Sequence, residues 1–374
     1  MCTITLAMII KNEETVLERC LQCASPLVDE VVIVDTGSSD RSVEIAKQFT
    51  DRVYSFAWID DFAAARNYAF SLAQMDYILW LDADDIITPE NQQKFLDLKQ
   101  NLNPQTDIVM MKYHVGFDAQ GNPTFSYYRE RLIRNSEKFR WEGAVHEAIT
   151  PSGVIHYADI AITHQKCGPH DSDRNLRIFE KLLREGKQLS LREQYYYARE
   201  LYYHKQYEAA IQRFNDCIAH KETWIENRID ACHLRSDCYN ALGDRHQSLC
   251  SLLESFVYDV PRAEICCAIA MLFLQENNLD LAIYWYEEAR ACTPNETSGA
   301  FVQPDCYNFI PNLQLSVCYD RKQEYEKALA AHQRAAACKP NHPLIQKNAA
   351  YFQTLPIANK YFVTTCDTVY DEES

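Results

Sequence analysis

The sequence predicts an α/β domain followed by an all-α domain that is built from helical repeats. Up to about residue 115, short apolar runs alternate with segments of helical period, which is typical of βαβ units and a mostly parallel sheet. From residue 173 onward almost every segment has helical period, and similar segments recur. The chain of 374 residues is long enough for two such domains.

The strands of the first domain are predicted from apolar runs, and its helices from apolar residues at helical spacing and from N-cap residues. The predicted strands are 3–10, 30–34, 53–56, 77–81 and 107–113, and the predicted helices are 14–24, 41–49, 62–73 and one starting at Thr88-Pro89. Between residues 116 and 165, a Gly121-Asn122-Pro123 turn and the alternation over 129–133 predict an antiparallel addition with loops. A break at 166–170 precedes the helical region.

Helical pairs repeat in the second half of the chain. A segment with a small residue precedes the second amphipathic helix of each pair, and the small residues lie at positions 210, 248, 282 and 328, so the spacings are 38, 34 and 46. One spacing equals the tetratricopeptide period of about 34 residues, and the others allow insertions. The pattern is similar to a degenerate tetratricopeptide array, with a non-repeating helical domain as the alternative. The predicted domains are therefore 1–190, 191–345, and a C-terminal helix and acidic tail over 346–374.

Composition and charge exclude several classes of function. The net charge of −16 disfavours nucleic-acid binding, because phosphates would be repelled. The first apolar run is short and meets Lys11 at once, so it predicts a strand, not a signal peptide, and no apolar stretch has transmembrane length. The 15 cysteines lack the paired spacing of a metal site, and we expect reduced thiols in a cytoplasmic protein.

Polar residues follow the predicted strands where ligands bind in open α/β sheets, at the carboxyl ends. These groups are Lys11-Asn12-Glu13-Glu14, the turn from Asp35 to Asp40, Asp61 to Asn67 at a helix start, and Asp82-Ala83-Asp84-Asp85. Two carboxylates one residue apart can share a divalent cation, although the last group also fits a strand followed by an acidic turn.

Together these motifs resemble the family 2 glycosyltransferases of the GT-A fold across residues 1–115. The resemblance implies that Asp35, with Gly37 and Ser38, lies in the nucleotide-recognition motif, with UDP as the favoured nucleotide. Asp82-Ala83-Asp84 is similar to the DxD motif of that family, which implies that Asp84 binds Mn²⁺ or Mg²⁺ and that Asp82 belongs to the metal site too, facing the ribose or a metal-bound water.

The resemblance extends to further site residues. Lys11, Asn12 and Glu13 are assigned to the nucleotide-sugar site. Arg66 and Asn67 join them, because a guanidinium can pair with the diphosphate, with a solvated helix charge as the alternative for Arg66.

A subgroup of the family that begins Lys-Asn-Glu-Glu carries a later His-Glu pair and a further His. Here these residues are His146, Glu147 and His164, followed by Arg174. Glu147 is the candidate catalytic base, and His146 and His164 are candidate metal or phosphate ligands, with a structural role as the alternative.

The resemblance implies an inverting, metal-dependent enzyme that transfers a sugar from a UDP-sugar. The two-part plan is similar to that of the bacterial peptide S-glycosyltransferases that modify bacteriocins, so one expected acceptor is a polypeptide side chain bound by the repeats. A cell-surface glycan or a lipid-linked acceptor is the alternative, and a scaffold with an inactive transferase domain is another. A Rossmann dinucleotide enzyme is disfavoured, since no GxGxxG follows the first strand. A homodimer is a further expectation.

Overall fold

The computed structural model describes residues 2–118, 121, 123–165, 173–295 and 297–355. The predicted break over 166–170 and the acidic tail lie outside these residues. The described chain divides into two compact units, which are residues 1–231 with 296–301, and residues 232–295 with 302–374. The predicted domain boundary at 190/191 stays a prediction.

The first unit contains an eight-stranded mixed sheet with the order β3-β2-β1-β4-β7-β6-β8-β5. Its strands are β1 Ile4–Ile10, β2 Glu30–Asp35, β3 Val53–Ser55, β4 Tyr77–Trp80, β5 Asp85–Ile86, β6 Ile108–Phe117, β7 Pro123–Arg134 and β8 Ile155–His164.

The sheet combines a parallel half with an addition of mixed direction. Strands β1 to β4 are mutually parallel where they pair, which confirms the predicted βαβ arrangement. Strand β7 is antiparallel to β4 and β6, as the alternating pattern predicts. Strand β8 runs parallel to β6, however, so the addition is not purely antiparallel. Parallel strands need a long connection, and the chain between β6 and β8 provides one because it contains β7 and the 142–148 loop.

Helices cover both faces of the sheet. They are α1 Leu17–Ala24, α2 Ser42–Ala46, α3 Phe62–Ser71 and α4 Pro89–Asn101. One core joins α1 and α4 to one face, with Leu17, Leu21 and Phe95 fully buried. The opposite face packs on α3 through Ala63, Ala69 and Phe70. Helix α2 is shorter than the predicted 41–49, because the chain leaves α-helical hydrogen bonding soon after Ala46.

The rest of the described chain is helical, as predicted. The helices are α5 Arg174–Arg184, α6 Leu191–Tyr203, α7 Tyr207–Ala219, α8 Ile225–Ala241, α9 Arg245–Glu254, α10 Ala263–Gln275, α11 Leu279–Ala291, α12 Phe309–Arg321, α13 Tyr325–Cys338 and α14 Pro343–Gln353. None of the helices in the described ranges combines the length and apolarity that a bilayer crossing requires.

The same turn joins the two helices of each of four pairs. One residue of each turn has a left-handed conformation, and the next residue donates its N–H to the carbonyl five positions earlier, which is the Schellman pattern at a helix end. The left-handed residues are Lys205, Gly243, Asn277 and Gln323, and the donors are Gln206, Asp244, Asn278 and Glu324.

The small residues that define the sequence repeat occupy equivalent buried positions. Each lies in the second helix of its pair and has no exposed surface: Ala210, Ser248, Ala282 and Ala328. The left-handed turn residues are 38, 34 and 46 positions apart, as the small residues are. Because the turn and the small residue recur together, the helical pairs are tetratricopeptide-like repeats.

Candidate functional site

Two loops at the carboxyl ends of β1 and β2 are joined by side-chain hydrogen bonds. Asn12, which has a positive φ of 56°, accepts a bond from Ser39 N at 2.8 Å through its Oδ1. In return Asn12 N donates to Ser38 Oγ at 2.9 Å, and Glu13 N donates to the Ser42 hydroxyl at 2.7 Å. The predicted nucleotide-binding residues of the two loops are thus neighbours.

Asp35 shapes the second of these loops. Its carboxylate accepts hydrogen bonds from Gly37 N at 3.2 Å and from Ser38 N at 3.1 Å. Gly37 has a φ of 102°, a conformation that side chains disfavour, and nothing lies within 4 Å of the position of a Cβ there. Oδ2 of Asp35 accepts from both backbone groups and Oδ1 accepts from Ser38 N alone, so Oδ1 has a further lone pair for a hydrogen bond from a nucleobase.

Arg66 lies between two carboxylates at the centre of the site. Its Nη2 donates to Asp82 Oδ1 and its Nε donates to Glu147 Oε1, each at 2.6 Å. Its guanidinium also lies over the rings of Trp80 and Trp141, at 4.8 and 4.9 Å from their centroids. Helix α3 therefore brings the first acid of the DxD-like motif and the candidate base together.

Arg66 also stabilises the ionised form of the Asp82 carboxyl. Burial alone would raise the pKa of the Asp82 carboxyl, but the charges of Arg66 and Arg131 lower it.

Asn67, the residue after Arg66, holds helix α3 beside the 142–148 loop. Its side chain donates to Trp141 O and accepts from Trp141 N, each at 2.9 Å. Ala83 is buried between the two acids of the motif.

Asp84, Asp85 and His164 form a group whose ligand atoms lie within 4.8 Å of one another. The pairing of β5 with β8 sets Asp85 opposite His164. His164 Nδ1 lies 3.2 Å from Asp84 Oδ1 and 2.9 Å from the Tyr113 hydroxyl, which also lies 2.9 Å from Asp85 Oδ1. Asp85 further accepts from Arg131 Nη1 at 2.9 Å, and both side chains of that ion pair are fully buried.

The residues present suit a hard divalent cation. Carboxylate oxygens and an imidazole nitrogen are ligands of Mn²⁺, and carboxylates also bind Mg²⁺. Asp84 and His164 are partly exposed, whereas Asp85 is buried and neutralised by Arg131, so we expect the first two to bind the ion and Asp85 to orient them.

Two pKa shifts reflect the excess of acidic groups. Burial would lower the pKa of His164, but its hydrogen bonds to Asp84 and Asp85 raise it to about 10. Burial, together with the carboxylates of Asp84 and Asp82, raises the pKa of Glu13 to about 7. Both groups therefore lie in the field of the carboxylates that surround Asp84.

The remaining predicted residues occupy other positions. His146 lies outside the acidic group and is hydrogen-bonded through Nε2 to Glu200 Oε1 at 2.8 Å, and Lys11 is exposed beside Asn12. The assignments of His146 and Asp82 as metal ligands stay predictions. The sequence analysis assigns no site role to Asp85, Tyr113 or Arg131. Asp85 ends the acidic run and Arg131 lies in the alternating segment, so only their positions in the sequence pointed to them.

A mixed α/β sheet with acids at the ends of its parallel strands is the arrangement expected of a nucleotide-sugar transferase domain. Residues 5–156 match the model of Glycosyl transferase family 2. The N-terminal region is thus a family 2 glycosyltransferase domain of GT-A type, and a helical region follows it.

Curated relatives share this part of the chain. A TPR repeat-containing protein from Synechococcus elongatus is 34% identical over 153 residues, which are 41% of this chain and 36% of that protein. The SPbeta prophage-derived glycosyltransferase SunS of Bacillus subtilis is 27% identical over 197 residues, which are 49% of this chain and 45% of SunS. The matches thus span less than half the length of these relatives.

Solved structures that match part of the chain include S. aureus TarS 1-349 in complex with UDP, which has a TM-score of 0.39 at 14% identity, and the match covers 68% of this chain and 91% of that TarS 1-349 chain. Another is glucosyl-3-phosphoglycerate synthase from Mycobacterium tuberculosis with Mn²⁺ and UDP-glucose, which has a TM-score of 0.35 at 16% identity and covers 50% of this chain and 81% of the synthase.

Proposed function

We propose that the protein is an inverting glycosyltransferase that moves a sugar from a UDP-sugar to an acceptor with the help of Mn²⁺ or Mg²⁺. The observation that carries the proposal is the bridge from Asp82 through Arg66 to Glu147, beside the Asp84 and His164 pair. The family of the domain supports it. Asp35 is assigned to the nucleotide base, and Asp84 and His164 to the cation.

The residues divide the chemistry between them. The cation, when bound, would stabilise the negative charge of the departing diphosphate. Glu147 is the proposed base that takes the proton of the acceptor nucleophile. Oε1 of Glu147 accepts the bond from Arg66, and no described residue is hydrogen-bonded to Oε2, so Oε2 has the lone pairs to accept the proton of the nucleophile.

The acceptor is proposed to be a polypeptide side chain that the helical repeats bind. Repeat domains of this type present extended binding surfaces. A glycan or lipid-linked acceptor is the second candidate, which the subgroup resemblance supports.

A donor screen tests the enzyme class without knowledge of the acceptor. Hydrolysis of a panel of nucleotide sugars should require Mn²⁺ or Mg²⁺ and should be fastest with one UDP-sugar. UDP should bind in calorimetry with metal-dependent affinity, and Asp84→Asn should remove that dependence. Asp97→Asn, a change at an exposed acid of α4, is the matched control. UDP binding that ignores the metal in the unaltered protein would disprove the metal assignment.

A further inference from the structure

The loop over residues 142–148, which carries Glu147, is closed on itself. Glu142 N donates to Ala148 O at 3.0 Å, and Ala148 N donates to Glu142 O at 3.1 Å. Inside the loop His146 has a positive φ of 53°. A residue other than glycine keeps this conformation only where its surroundings hold it. The contacts that hold His146 therefore also fix the backbone of its neighbour Glu147.

One face of α6 supplies these contacts. Glu200 Oε1 lies 2.8 Å from His146 Nε2, and the Tyr196 ring stacks on the His146 ring with centroids 4.2 Å apart. Arg192 Nε donates to His146 O at 3.3 Å. Residues 192, 196 and 200 are four positions apart, so they share one face of the helix. Three side chains of α6 thus converge on one loop residue.

Glu200 is built to hold a charge at this position. It is 6% exposed, and Asn175 Nδ2 also donates to its Oε1 at 3.1 Å. Burial would raise the pKa of Glu200, but the hydrogen bonds from His146 and Asn175 lower it. An ionised Glu200 accepts a hydrogen bond from the Nε2–H of His146, and a hydrogen bond to a charged acceptor is stronger than one between neutral groups.

We propose that Glu200 is a positioning residue, which acts through His146 to hold the 142–148 loop so that Glu147 meets Arg66. The proposal rests on the proposed function in that Glu147 is the base. It also makes α6, which begins after the predicted boundary at residue 190, a working part of the transferase site. The extent of the first compact unit, through residue 231, agrees with this assignment.

The test compares full-length variants by amide hydrogen exchange and by donor hydrolysis. In Glu200→Ala, we expect exchange at residues 142–148 to accelerate about tenfold, because the loop opens more often. The kcat for hydrolysis of the UDP-sugar should fall about tenfold with little change in KM for the donor, because only the base is displaced. Glu200→Gln keeps the side-chain volume and an acceptor oxygen but removes the charge, so it should restore part of both values.

Glu264→Ala is the matched control. Glu264 is a similarly buried acid of α10, at 9% exposure, and its carboxylate accepts bonds from Gln303 N at 2.8 Å and from the Tyr307 hydroxyl at 3.0 Å. Its loss should leave exchange in the 142–148 loop unchanged.

The two measurements separate the two proposals. Unchanged exchange at 142–148 in Glu200→Ala would overturn the positioning role, whatever the activity. Faster exchange with unaltered kcat would also overturn it. If the unaltered protein releases UDP from no donor, the proposed function fails, and the exchange result alone decides whether Glu200 holds the loop.

Discussion

The sheet region and the helical pairs bury different side chains at their defining positions. Under the site, the sheet region buries charges: the Arg131 and Asp85 pair has no exposed surface, and Arg66 is nearly buried between two acids. The helical pairs bury small residues at the equivalent point of each repeat, such as Ala282.

This difference separates residues kept for chemistry from residues kept for packing. A buried ion pair contributes little net stability compared with apolar groups of the same volume, whereas a small residue lets two helices approach closely. We therefore expect changes to the buried charges under the site to affect ligand chemistry, and changes to the small residues to affect stability alone.

The largest effect is expected for Arg66→Ala. The variant removes the guanidinium that pairs with the carboxylates of Asp82 and Glu147. It should therefore lose about 3 kcal/mol of stability and about 100-fold or more in donor hydrolysis. Thermal unfolding and UDP release measure the two effects. Arg41→Ala, which removes an exposed pair with Glu44, is the control and should change neither. Retained hydrolysis would show that the buried charges serve packing.

An intermediate effect on stability is expected for Ala282→Leu. The larger side chain overpacks a position with no exposed surface in α11, so we expect a loss of about 1–3 kcal/mol. Donor hydrolysis by the folded fraction should be unchanged. Ala291→Leu, at the exposed end of the same helix, is the control in denaturant unfolding. A drop in hydrolysis at temperatures where the variant is folded would break the proposed separation.

The smallest effect on stability is expected for Tyr113→Phe, which removes the hydroxyl between Asp85 and His164. The folded protein should lose about 1 kcal/mol, while Mn²⁺ affinity in the presence of UDP should fall about tenfold, because His164 loses an orienting bond. Tyr77→Phe is the matched control, since its buried hydroxyl donates to Thr106 O at 2.8 Å. Equal Mn²⁺ affinities in the two variants, measured by calorimetry, would show that Tyr113 does not orient the site.

The sequence indicated most of the candidate site residues because they follow strands of recognisable pattern. Asp35, Asp82 and Asp84 come directly after apolar runs, and parallel strands bring such ends to one edge of a sheet. Arg66 was predicted with two alternatives, and its contacts with Asp82 and Glu147 exclude the solvated surface charge. Strand β5 was not predicted, because a strand of two residues is too short to show an alternating pattern.

The sequence by itself determined the order of the parallel strands and of the helices, the family motifs, and the repeat of turn and small residue, because each is set by local spacing. Only the tertiary structure decided which distant groups meet. It set Arg131 against Asp85, paired His164 with Asp84, and turned α6 towards His146. Such contacts join residues that are tens of positions apart, and they depend on which strands pair and on how each helix packs, which the spacing of residues within one segment does not fix.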